Sequence, residues 1–311
     1  MRIRMRDDLP VPASVIRTFH HAEFDARELA DRKGASRVSV CIPARDEAAT
    51  IGPIVECVRR ELIDDARLVD EILVIDDHST DGTAGLAADA GARVVDAASV
   101  LPAYGTGHGK GEALWKSVFA AEGDLIVWCD ADVLDFHPGY VTGLVGPLIT
   151  RADLSFVKGF YRRPVHNGTD ATGGRVTELV ARPVLSILFP QLGPVVQPLA
   201  GEYAGRRSLL EQLSFVVGYG VDIALLIDAM RVAGEHALAQ VDLGTRTHRN
   251  RTLAELGPQA TSVLQAALAR SGHFGVPEVA VLARPGLDPV YVESASRPPL
   301  VSIPEYRRPS A

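Results

Sequence analysis

The chain has 311 residues, of which 47% are hydrophobic and 23% are charged, and its formal net charge is −7. This composition is ordinary for a globular enzyme with one large α/β domain or two smaller ones, and the charge gives no support to nucleic-acid binding. The three cysteines, Cys41, Cys57 and Cys129, form no CxxC pair. Their spacing excludes a zinc-finger-type site and a disulfide framework, and it favours reduced core thiols.

The beginning of the chain carries no targeting signal that we can identify. Residues 1–12 are basic but contain no apolar core of the kind found in signal peptides. No run of about 18 apolar residues is present, so the sequence predicts no membrane-spanning helix. Together with the reduced cysteines, these features predict a cytoplasmic location.

The segment 36–150 predicts strands that alternate with helices. The strands are predicted over 38–42, 71–75, 92–95 and 125–128. Helices are predicted over 47–62, from a cap at Ser79 or Thr80 to about residue 90, and over 112–120. This alternation is typical of a parallel α/β sheet, which binds ligands at the carboxyl ends of its strands.

The rest of the chain divides into an extension, a second half and a tail. Residues 1–35 are polar and are predicted to lie on the fold as an extension. Residues 151–275 predict an α+β half, with strands near 154–161, 199–204 and 238–247 and helices near 176–190, 207–213, 219–233 and 254–271. Residues 276–311 are predicted to form a C-terminal tail, and the part from Arg284, which is proline-rich, is expected to be loosely ordered.

Asp130-Ala131-Asp132 directly follows the predicted strand 125–128. Two carboxylates one residue apart at a strand end suit a hard divalent cation, because such cations prefer oxygen ligands. The cation can bridge to the two phosphates of a nucleotide and neutralise charge on a leaving diphosphate. The alternative is a solvated turn in which Asp132 caps a helix.

Two further loops follow strands at the same edge. Main-chain groups of residues 43–47 can bind a base or ribose, with Glu47 accepting from ribose hydroxyls, or the loop can simply connect strand to helix. In residues 76–83 one aspartate can accept the imide N–H of uracil or the corresponding edge of guanine. The alternative for this loop is a capped turn with a solvated acidic pair.

Three other segments can bind anions or metal. Lys110 stands between glycines in 107–111, which suits a diphosphate unless the segment is a flexible loop with a surface lysine. Residues 172–178 combine two glycines with Arg175 and Thr177, which suits a phosphate or carboxylate unless they form only a turn and a helix start. In residues 245–251, His248 can be a third metal ligand, although such a run is usually a solvated basic face.

These motifs, in their order, resemble those of the glucosyl-3-phosphoglycerate synthases. They are PARDEAATI, DDHSTDGT, GHGKGEALWKS, DAD, GRVTELVARP, QPLAGEYAGRR, GYGVDIALLID and THRNR. The resemblance extends over about residues 37–275, and GRVTELVARP, GEYAG and HRNR are its most specific parts. It implies the GT-A fold, in which a Rossmann-like nucleotide-sugar-binding sheet carries an appended acceptor-binding α+β half.

The resemblance also implies a reaction and the residues that perform it. The reaction is a retaining transfer of a sugar, usually glucose from UDP-glucose, to the 2-hydroxyl of 3-phosphoglycerate, with Mg²⁺ or Mn²⁺. The implied donor-binding residues are Pro43, Ala44, Arg45, Glu47, Asp77, Lys110, Asp130, Ala131, Tyr219, Asp222 and Arg251. The implied acceptor-binding residues are Gly174, Arg175, Thr177, Arg246 and Asn250. The implied metal ligands are Asp132 and His248, and the implied catalytic residues are Asp130, Asp132, Asp222 and Arg175.

Several positions depart from the family's usual pattern. Asp222 stands where the family usually has Glu, Arg45 where it has a hydrophobic residue, and Asp77 where it has Ser. Two glycines, rather than three, precede Arg175. The apolar segment 184–199 resembles the contact of the family's dimers and predicts a homodimer.

Two alternative functions stay open on the sequence alone. One is a membrane-associated glycosyltransferase that acts on a polyprenyl phosphate, since such an enzyme would share the first half of the chain. The other is a protein that holds a nucleotide sugar without turnover. The absence of a spanning helix and the anion-binding segment 172–178 argue against the first, and the intact DAD element and His248 argue against the second.

Overall fold

The computed structural model describes residues 16–162, 174–246 and 252–309. The strands are β1 (Arg17–His20), β2 (Val38–Ala44), β3 (Glu71–Asp76), β4 (Arg93–Asp96), β5 (Leu125–Trp128), β6 (Phe156–Arg162), β7 (Tyr203–Arg206), β8 (Phe215–Val216), β9 (Leu238–Thr245), β10 (Val279–Arg284), β11 (Leu287–Glu293) and β12 (Ser296–Arg297). The α-helices are α1 (Ala26–Arg32), α2 (Ile51–Val58), α3 (Thr83–Ala90), α4 (Lys110–Ala120), α5 (Gly139–Thr150), α6 (Arg182–Leu188), α7 (Arg207–Leu210), α8 (Val221–Ala233) and α9 (Leu253–Ser271). A wide helical turn, Arg59–Asp65, extends α2, and another, Thr177–Ala181, precedes α6.

Eight strands form one sheet in the order β1-β9-β6-β7-β5-β2-β3-β4. Neighbouring strands in it are parallel, except that β7 runs antiparallel to both β5 and β6. The carboxyl ends of β2, β3, β5, β6 and β9 therefore meet at one edge, where β7 begins. The predicted α/β class with a largely parallel sheet is confirmed.

Helices cover both faces of this sheet. Trp115 of α4 and Trp128 of β5 lie in the core on one face, together with apolar side chains of α8 and α9. Ile54 of α2 and Leu144 of α5 lie in the core on the other face. Because both faces are covered, central strands such as β2 are apolar at nearly every position, which is why their sequences read as continuous hydrophobic runs.

The strands of the two predicted halves belong to the same sheet. β2 to β5 come from residues 36–150, and β6, β7 and β9 come from residues 151–275. The predicted extension also contributes, because β1 pairs with β9 at the sheet's edge and α1 packs against α5. The division of the chain into an N-terminal extension, two halves and a C-terminal tail stays a prediction.

The prediction of a loosely ordered tail from Arg284 is wrong for the residues that the structure describes, which extend to 309. β10 and β11 form an antiparallel hairpin, and β12 pairs with β8. Trp115 of α4 donates a hydrogen bond of 2.8 Å to the carbonyl of Pro298, and Arg297 donates one of 2.5 Å to Glu112. The prolines are compatible with this order because edge strands and the segments between anchored side chains tolerate proline.

The helix after β3 begins later than the sequence predicts. α3 begins at Thr83 and its N-cap residue is Gly82, so the prediction of a cap at Ser79 or Thr80 is wrong. The Ser79 hydroxyl instead accepts a hydrogen bond of 3.0 Å from the amide of Asp46. No helix in the part of the chain that the structure describes is both long and apolar enough to cross a membrane.

We expect Gly111→Ala to lower the free energy of unfolding by ~3 kcal/mol. A Cβ at Gly111, in the first turn of α4, would stand 1.8 Å from the carbonyl oxygen of Val216 in β8. Gly85→Ala in α3 is the matched control, since its Cβ would meet no atom within 4 Å, and it should raise that free energy by about 0.5–1 kcal/mol. Urea unfolding followed by circular dichroism measures both, and equal stabilities would contradict this packing of α4 on β8.

Candidate functional site

A cluster of charged side chains lies at the edge of the sheet where the parallel strands end. The loop after β5 supplies two aspartates, the residue after β9 supplies an arginine, and the residue before β7 supplies a glutamate. The first residue of α4 supplies a lysine, and the first turn of α8 supplies a further aspartate. They are Asp130, Asp132, Arg246, Glu202, Lys110 and Asp222.

Arg246 lies at the centre of this cluster. Its Nη2 donates to Asp132 Oδ1 at 2.6 Å, and its Nη1 contacts Glu202 Oε1, Asp130 Oδ2 at 3.5 Å and the Tyr161 hydroxyl at 3.2 Å. Only 2% of the arginine is exposed. Burial lowers its pKa, but the carboxylates, Glu202 foremost, raise it further, so the guanidinium stays charged. It therefore ties the ends of β5 and β9 to the start of β7.

Lys110 makes the second set of ion pairs in the cluster. Its Nζ lies 2.8 Å from Asp130 Oδ1 and 3.4 Å from Asp222 Oδ1. Burial opposes ionisation of both partners, yet the two carboxylates raise the pKa of Lys110, and Lys110 with Arg246 lowers the pKa of Asp130. Both groups are therefore held in their charged forms.

Among the residues that the structure describes, the four carboxylates of the cluster outnumber the two cations that are paired with them. The four carboxylates described above face the ammonium of Lys110 and the guanidinium of Arg246. Burial raises the pKa of Glu202 to about 7, against the lowering effect of Arg246, because three carboxylates share that one guanidinium. Asp132 is the most accessible of the four, with its side chain 45% exposed. A divalent cation beside Asp132 fits this surplus of negative charge.

Lys158 and Tyr203 place polar atoms without hydrogen-bond partners beside the cluster. Lys158 on β6 is paired in register with Tyr203 on β7, and its Nζ lies 4.0 Å from the centre of the tyrosine ring. Burial lowers the pKa of Lys158 to about 8. Burial and the neighbouring Asp222 carboxylate raise the pKa of Tyr203. Within the described residues, the Lys158 ammonium and the Tyr203 hydroxyl have no hydrogen-bond partner, and Asp222 Oδ1 has only its ion pair with Lys110.

Sequence reasoning did not select Lys158, Tyr161, Glu202 or Tyr203 as site residues. Glu202 and Tyr203 stand inside the motif GEYAG, which entered only through the resemblance. A local signal exists for Lys158, because it is a lone charge within the apolar strand β6. Charged residues in buried strand positions are rare unless a partner or a ligand compensates them.

The loops after β2 and β3 are joined by reciprocal hydrogen bonds. The Thr80 amide donates to Asp46 Oδ1 at 2.8 Å, and the Glu47 amide donates to Thr83 Oγ1 at 2.8 Å. The Asp77 amide donates to the Ala44 carbonyl at 2.8 Å, which continues the pairing of the two strands. The predicted nucleotide-binding loops therefore form one rigid wall of the site.

Asp77 projects from this wall toward two histidines. Its Oδ2 accepts a hydrogen bond of 2.9 Å from the amide of Gly109. Its Oδ1 lies 3.0 Å from His78 Nδ1 and 3.6 Å from His108 Nδ1, and the two imidazole centres are 4.0 Å apart. Among the residues that the structure describes, these three form the one group of histidine, cysteine and acidic side chains with metal-ligand spacing.

The remaining predicted site residues lie in several places. Pro43 and Ala44 end β2, Arg45 is exposed in the loop beyond it, and Tyr219 is 46% exposed before α8. Ala131 is buried, and its carbonyl accepts a hydrogen bond of 2.6 Å from Thr50. Their roles in binding stay predictions.

The predicted acceptor pocket is only partly described. Gly174 and the exposed Arg175 precede the wide turn Thr177–Ala181, and Thr177 itself is buried. His248, Asn250 and Arg251 lie outside the described residues, so the structure gives no position for the second predicted metal ligand. The reading of Asp132 as a helix cap is wrong, because the next helix, α5, begins at Gly139.

Comparison with known proteins identifies relatives of the whole fold. Residues 39–214 match the sequence model for glycosyl transferase family 2. The glucosyl-3-phosphoglycerate synthase of Petrotoga mobilis is 41% identical over 94% of this chain and 95% of its own length.

Two solved structures are similar in fold as well as in sequence. The glucosyl-3-phosphoglycerate synthase of Mycobacterium tuberculosis, in complex with Mn²⁺, UDP-glucose and phosphoglyceric acid, has a TM-score of 0.83 and 42% identity over 94% of this chain and 99% of the other. The mannosyl-3-phosphoglycerate synthase of Rubrobacter xylanophilus has a TM-score of 0.83 and 36% identity over 92% and 97%. These matches confirm the GT-A fold that the sequence predicts.

Lys158→Met should raise the free energy of unfolding at pH 7 by up to about 3 kcal/mol, because it replaces a buried, unpaired ammonium with an apolar chain of similar length. In the wild type the folded-state pKa is about 8 and the ordinary value is 10.5. The unfolded chain therefore holds the Lys158 proton more tightly than the folded protein does. As a result, the contribution of Lys158 to the free energy of unfolding rises with pH from about 8 to 10.5. The variant lacks this rise, and the difference between the two proteins should shrink over that range.

Urea unfolding at pH 7 to 10.5 measures this difference. Lys33→Met is the matched control, because Lys33 is paired with Asp70 at 2.6 Å, and its loss should lower stability rather than raise it. A Lys158→Met variant that is less stable than the wild type at pH 7 would contradict our interpretation of Lys158.

Proposed function

Since this chain is a glycosyltransferase that belongs to the glucosyl-3-phosphoglycerate synthases of glycosyl transferase family 2, we propose that it transfers glucose from UDP-glucose to the 2-hydroxyl of 3-phosphoglycerate. The observation that carries this proposal is the convergence of Lys110 and Arg246 on Asp130 at the carboxyl edge of the sheet. Parallel α/β sheets bind nucleotides at that edge, and the cluster there has the charges that a diphosphate and a cation require.

The proposed cofactor is Mg²⁺ or Mn²⁺. Asp132 and His248 would hold it, since Asp132 is the exposed carboxylate of a cluster with surplus negative charge. When bound, such a cation supplies charge neutralisation for the departing diphosphate. The tuberculosis relative, whose structure contains Mn²⁺, supports this choice.

The donor would lie between the wall formed by the loops after β2 and β3 and the charged cluster. Pro43, Ala44, Arg45 and Glu47 would hold the ribose and base, and Asp77 would accept the imide N–H of uracil. Lys110 and Arg251 would contact the diphosphate, Asp130 and Ala131 would contact donor groups, and Tyr219 and Asp222 would line the sugar pocket. Lys110 is suited to its role because its Nζ already lies between Asp130 and Asp222, so it can pair with a phosphate oxygen through a small displacement.

The acceptor would be held by its phosphate and carboxylate. Gly174, Arg175, Thr177, Arg246 and Asn250 are the residues proposed for this role. Arg246 is bonded to Asp132 and Glu202. A contact with the acceptor therefore requires its guanidinium to exchange or share those partners.

The proposed transfer proceeds with retention at the anomeric carbon. The acceptor's 2-hydroxyl approaches on the face from which the diphosphate leaves, so the new C–O bond forms as the bond to the phosphate oxygen breaks. The hydroxyl proton passes to an oxygen of the leaving phosphate. The protein then contributes position and electrostatic stabilisation through Lys110, Arg246 and the aspartates, rather than a covalent nucleophile.

The two alternative functions are not favoured by the relatives. The curated relatives that match 82–94% of this chain are glucosyl-3-phosphoglycerate synthases at 41–48% identity.

We also propose a homodimer that forms through the apolar segment 184–199, where Ile187 on α6 is 76% exposed. We propose a cytoplasmic location on the basis of the buried free thiols of Cys41 and Cys129.

A screen of nucleotide sugars against 3-phosphoglycerate and related phospho-acids tests the proposed reaction, with released nucleotide as the readout. We expect UDP-glucose with 3-phosphoglycerate and Mg²⁺ or Mn²⁺ to give the highest kcat/KM. GDP-mannose is the informative competitor, because one relative is a mannosyl-3-phosphoglycerate synthase. Release of nucleotide that does not depend on any phospho-acid acceptor would contradict the proposal.

Asp132→Ala should reduce kcat by at least about 10³-fold, since it removes the exposed carboxylate proposed to hold the cation. Asp89→Ala on the exposed face of α3 is the matched control and should leave kcat within about twofold. Steady-state nucleotide release at saturating metal measures both variants. Near-normal turnover by Asp132→Ala would show that the metal is not held there.

A further inference from the structure

We propose that Asp77, His78 and His108 form a second metal site, one that selects a zinc-class transition metal, and that this metal and the uracil base exclude one another. The site lies between the loop after β3, which carries Asp77 and His78, and the loop before α4, which carries His108. These residues are different from those proposed to bind the catalytic cation. The first part of the proposal rests only on geometry and ligand chemistry. The second part rests on the proposed function.

The spacing of the three ligand atoms fits one small ion. Asp77 Oδ1 lies 3.0 Å from His78 Nδ1 and 3.6 Å from His108 Nδ1, and the three ligand atoms all lie within 4.8 Å of one another. In a tetrahedral zinc site with bonds of about 2.0–2.1 Å, neighbouring ligand atoms are roughly 3.3 Å apart. The two separations from Asp77 Oδ1, 3.0 Å and 3.6 Å, lie on either side of that value, so an ion can enter with small side-chain movements.

The surrounding backbone holds Asp77 in place. The Asp77 side chain is 7% exposed, and its second carboxylate oxygen accepts a hydrogen bond from the Gly109 amide at 2.9 Å, which leaves Oδ1 directed at the imidazoles. Its own amide donates to Ala44 on β2. A hydrogen bond to the non-ligating oxygen is the kind of outer contact that orients metal ligands in proteins.

His78 is held by an uncommon backbone conformation. Its φ is +62°, a left-handed conformation that few non-glycine residues adopt. The side chains of His78 and His108 are 30% and 59% exposed. A metal ion can therefore reach the site from solvent.

The donor set determines the class of metal. Two imidazole nitrogens and one carboxylate oxygen suit Zn²⁺, Co²⁺, Ni²⁺ or Cu²⁺. Mg²⁺ prefers six oxygen ligands and keeps several waters, so it should not compete here. The site therefore separates a zinc-class ion from the Mg²⁺ or Mn²⁺ proposed at Asp132.

Occupation of this site would affect the nucleotide. Asp77 is the residue proposed to accept the imide N–H of uracil, and a metal bound to Oδ1 would withdraw that acceptor and place an ion in the base's position. The expected consequence is inhibition by Zn²⁺ that is competitive with the nucleotide sugar.

Co²⁺ absorption spectroscopy on the full-length protein tests the metal site without nucleotide or turnover. We expect Co²⁺ to give the intense visible bands of a four-coordinate ion. His78→Asn and His108→Asn should each weaken Co²⁺ binding at least tenfold, and asparagine suits position 78 because it tolerates left-handed φ. His273→Asn, at an exposed histidine near the end of α9, is the matched control and should leave binding unchanged.

Asp132→Ala should keep the same Co²⁺ spectrum, which separates this site from the proposed catalytic one. The metal site is overturned if the wild type gives no such bands, or if the bands persist at wild-type affinity in both histidine variants. These outcomes do not depend on whether the protein turns over UDP-glucose.

Uridine tests the second part, because it carries the base and ribose without phosphates that would chelate Co²⁺. Exclusion predicts that the apparent Co²⁺ dissociation constant rises linearly with uridine concentration from its value without uridine, and that the bands fade as uridine is added at fixed Co²⁺. If uridine and Co²⁺ bind together without affecting one another, the exclusion is overturned while the metal site stands.

Discussion

The contact of Arg246 with three carboxylates joins parts of the chain that are far apart in sequence. Asp130 and Asp132 follow β5, Glu202 precedes β7, and the arginine itself follows β9. In the sheet, β7 lies between β5 and β6, so these residues meet only because one antiparallel strand is inserted into an otherwise parallel sheet. A buried guanidinium among carboxylates is tolerable because each group compensates the desolvation of the others.

The unpartnered atoms beside this cluster indicate where a ligand would be favoured. A buried polar group without a hydrogen-bond partner costs about 1–3 kcal/mol, and Lys158 and Tyr203 each place one beside the charged cluster. A sugar hydroxyl that completed these hydrogen bonds would recover that cost on binding. A sugar with a hydroxyl in the wrong orientation would leave the cost in place, which is a physical basis for choosing between epimeric hexoses.

Much of the sheet and part of the site can be predicted from the sequence. The runs that became β2, β3 and β5 are apolar and end in acidic loops, and the parallel-sheet rule places Asp77, Asp130 and Asp132 at one edge. Glu202 could not be found in this way, because its place in the cluster depends on the insertion of the antiparallel strand β7 between β5 and β6, which no local pattern predicts.

The two wrong predictions have the same physical cause, which is a contact between residues that are distant in sequence. The Ser79 cap failed because its hydroxyl bonds to Asp46 in the next loop, and the loose tail failed because long-range contacts with α4 order it.

The attachment of the last segment of the chain to α4 has a consequence for biosynthesis. Arg297 pairs with Glu112, and the carbonyl of Pro298 receives the indole N–H of Trp115, one turn beyond Lys110 on the same helix. Ribosomes make these anchoring residues after every strand of the eight-stranded sheet. A nascent chain can thus form its sheet before the helix that carries Lys110 is fully secured. A chain truncated before Arg297 would keep every strand of the eight-stranded sheet but would lack the contacts that hold the helix of Lys110, the lysine proposed to bind the donor.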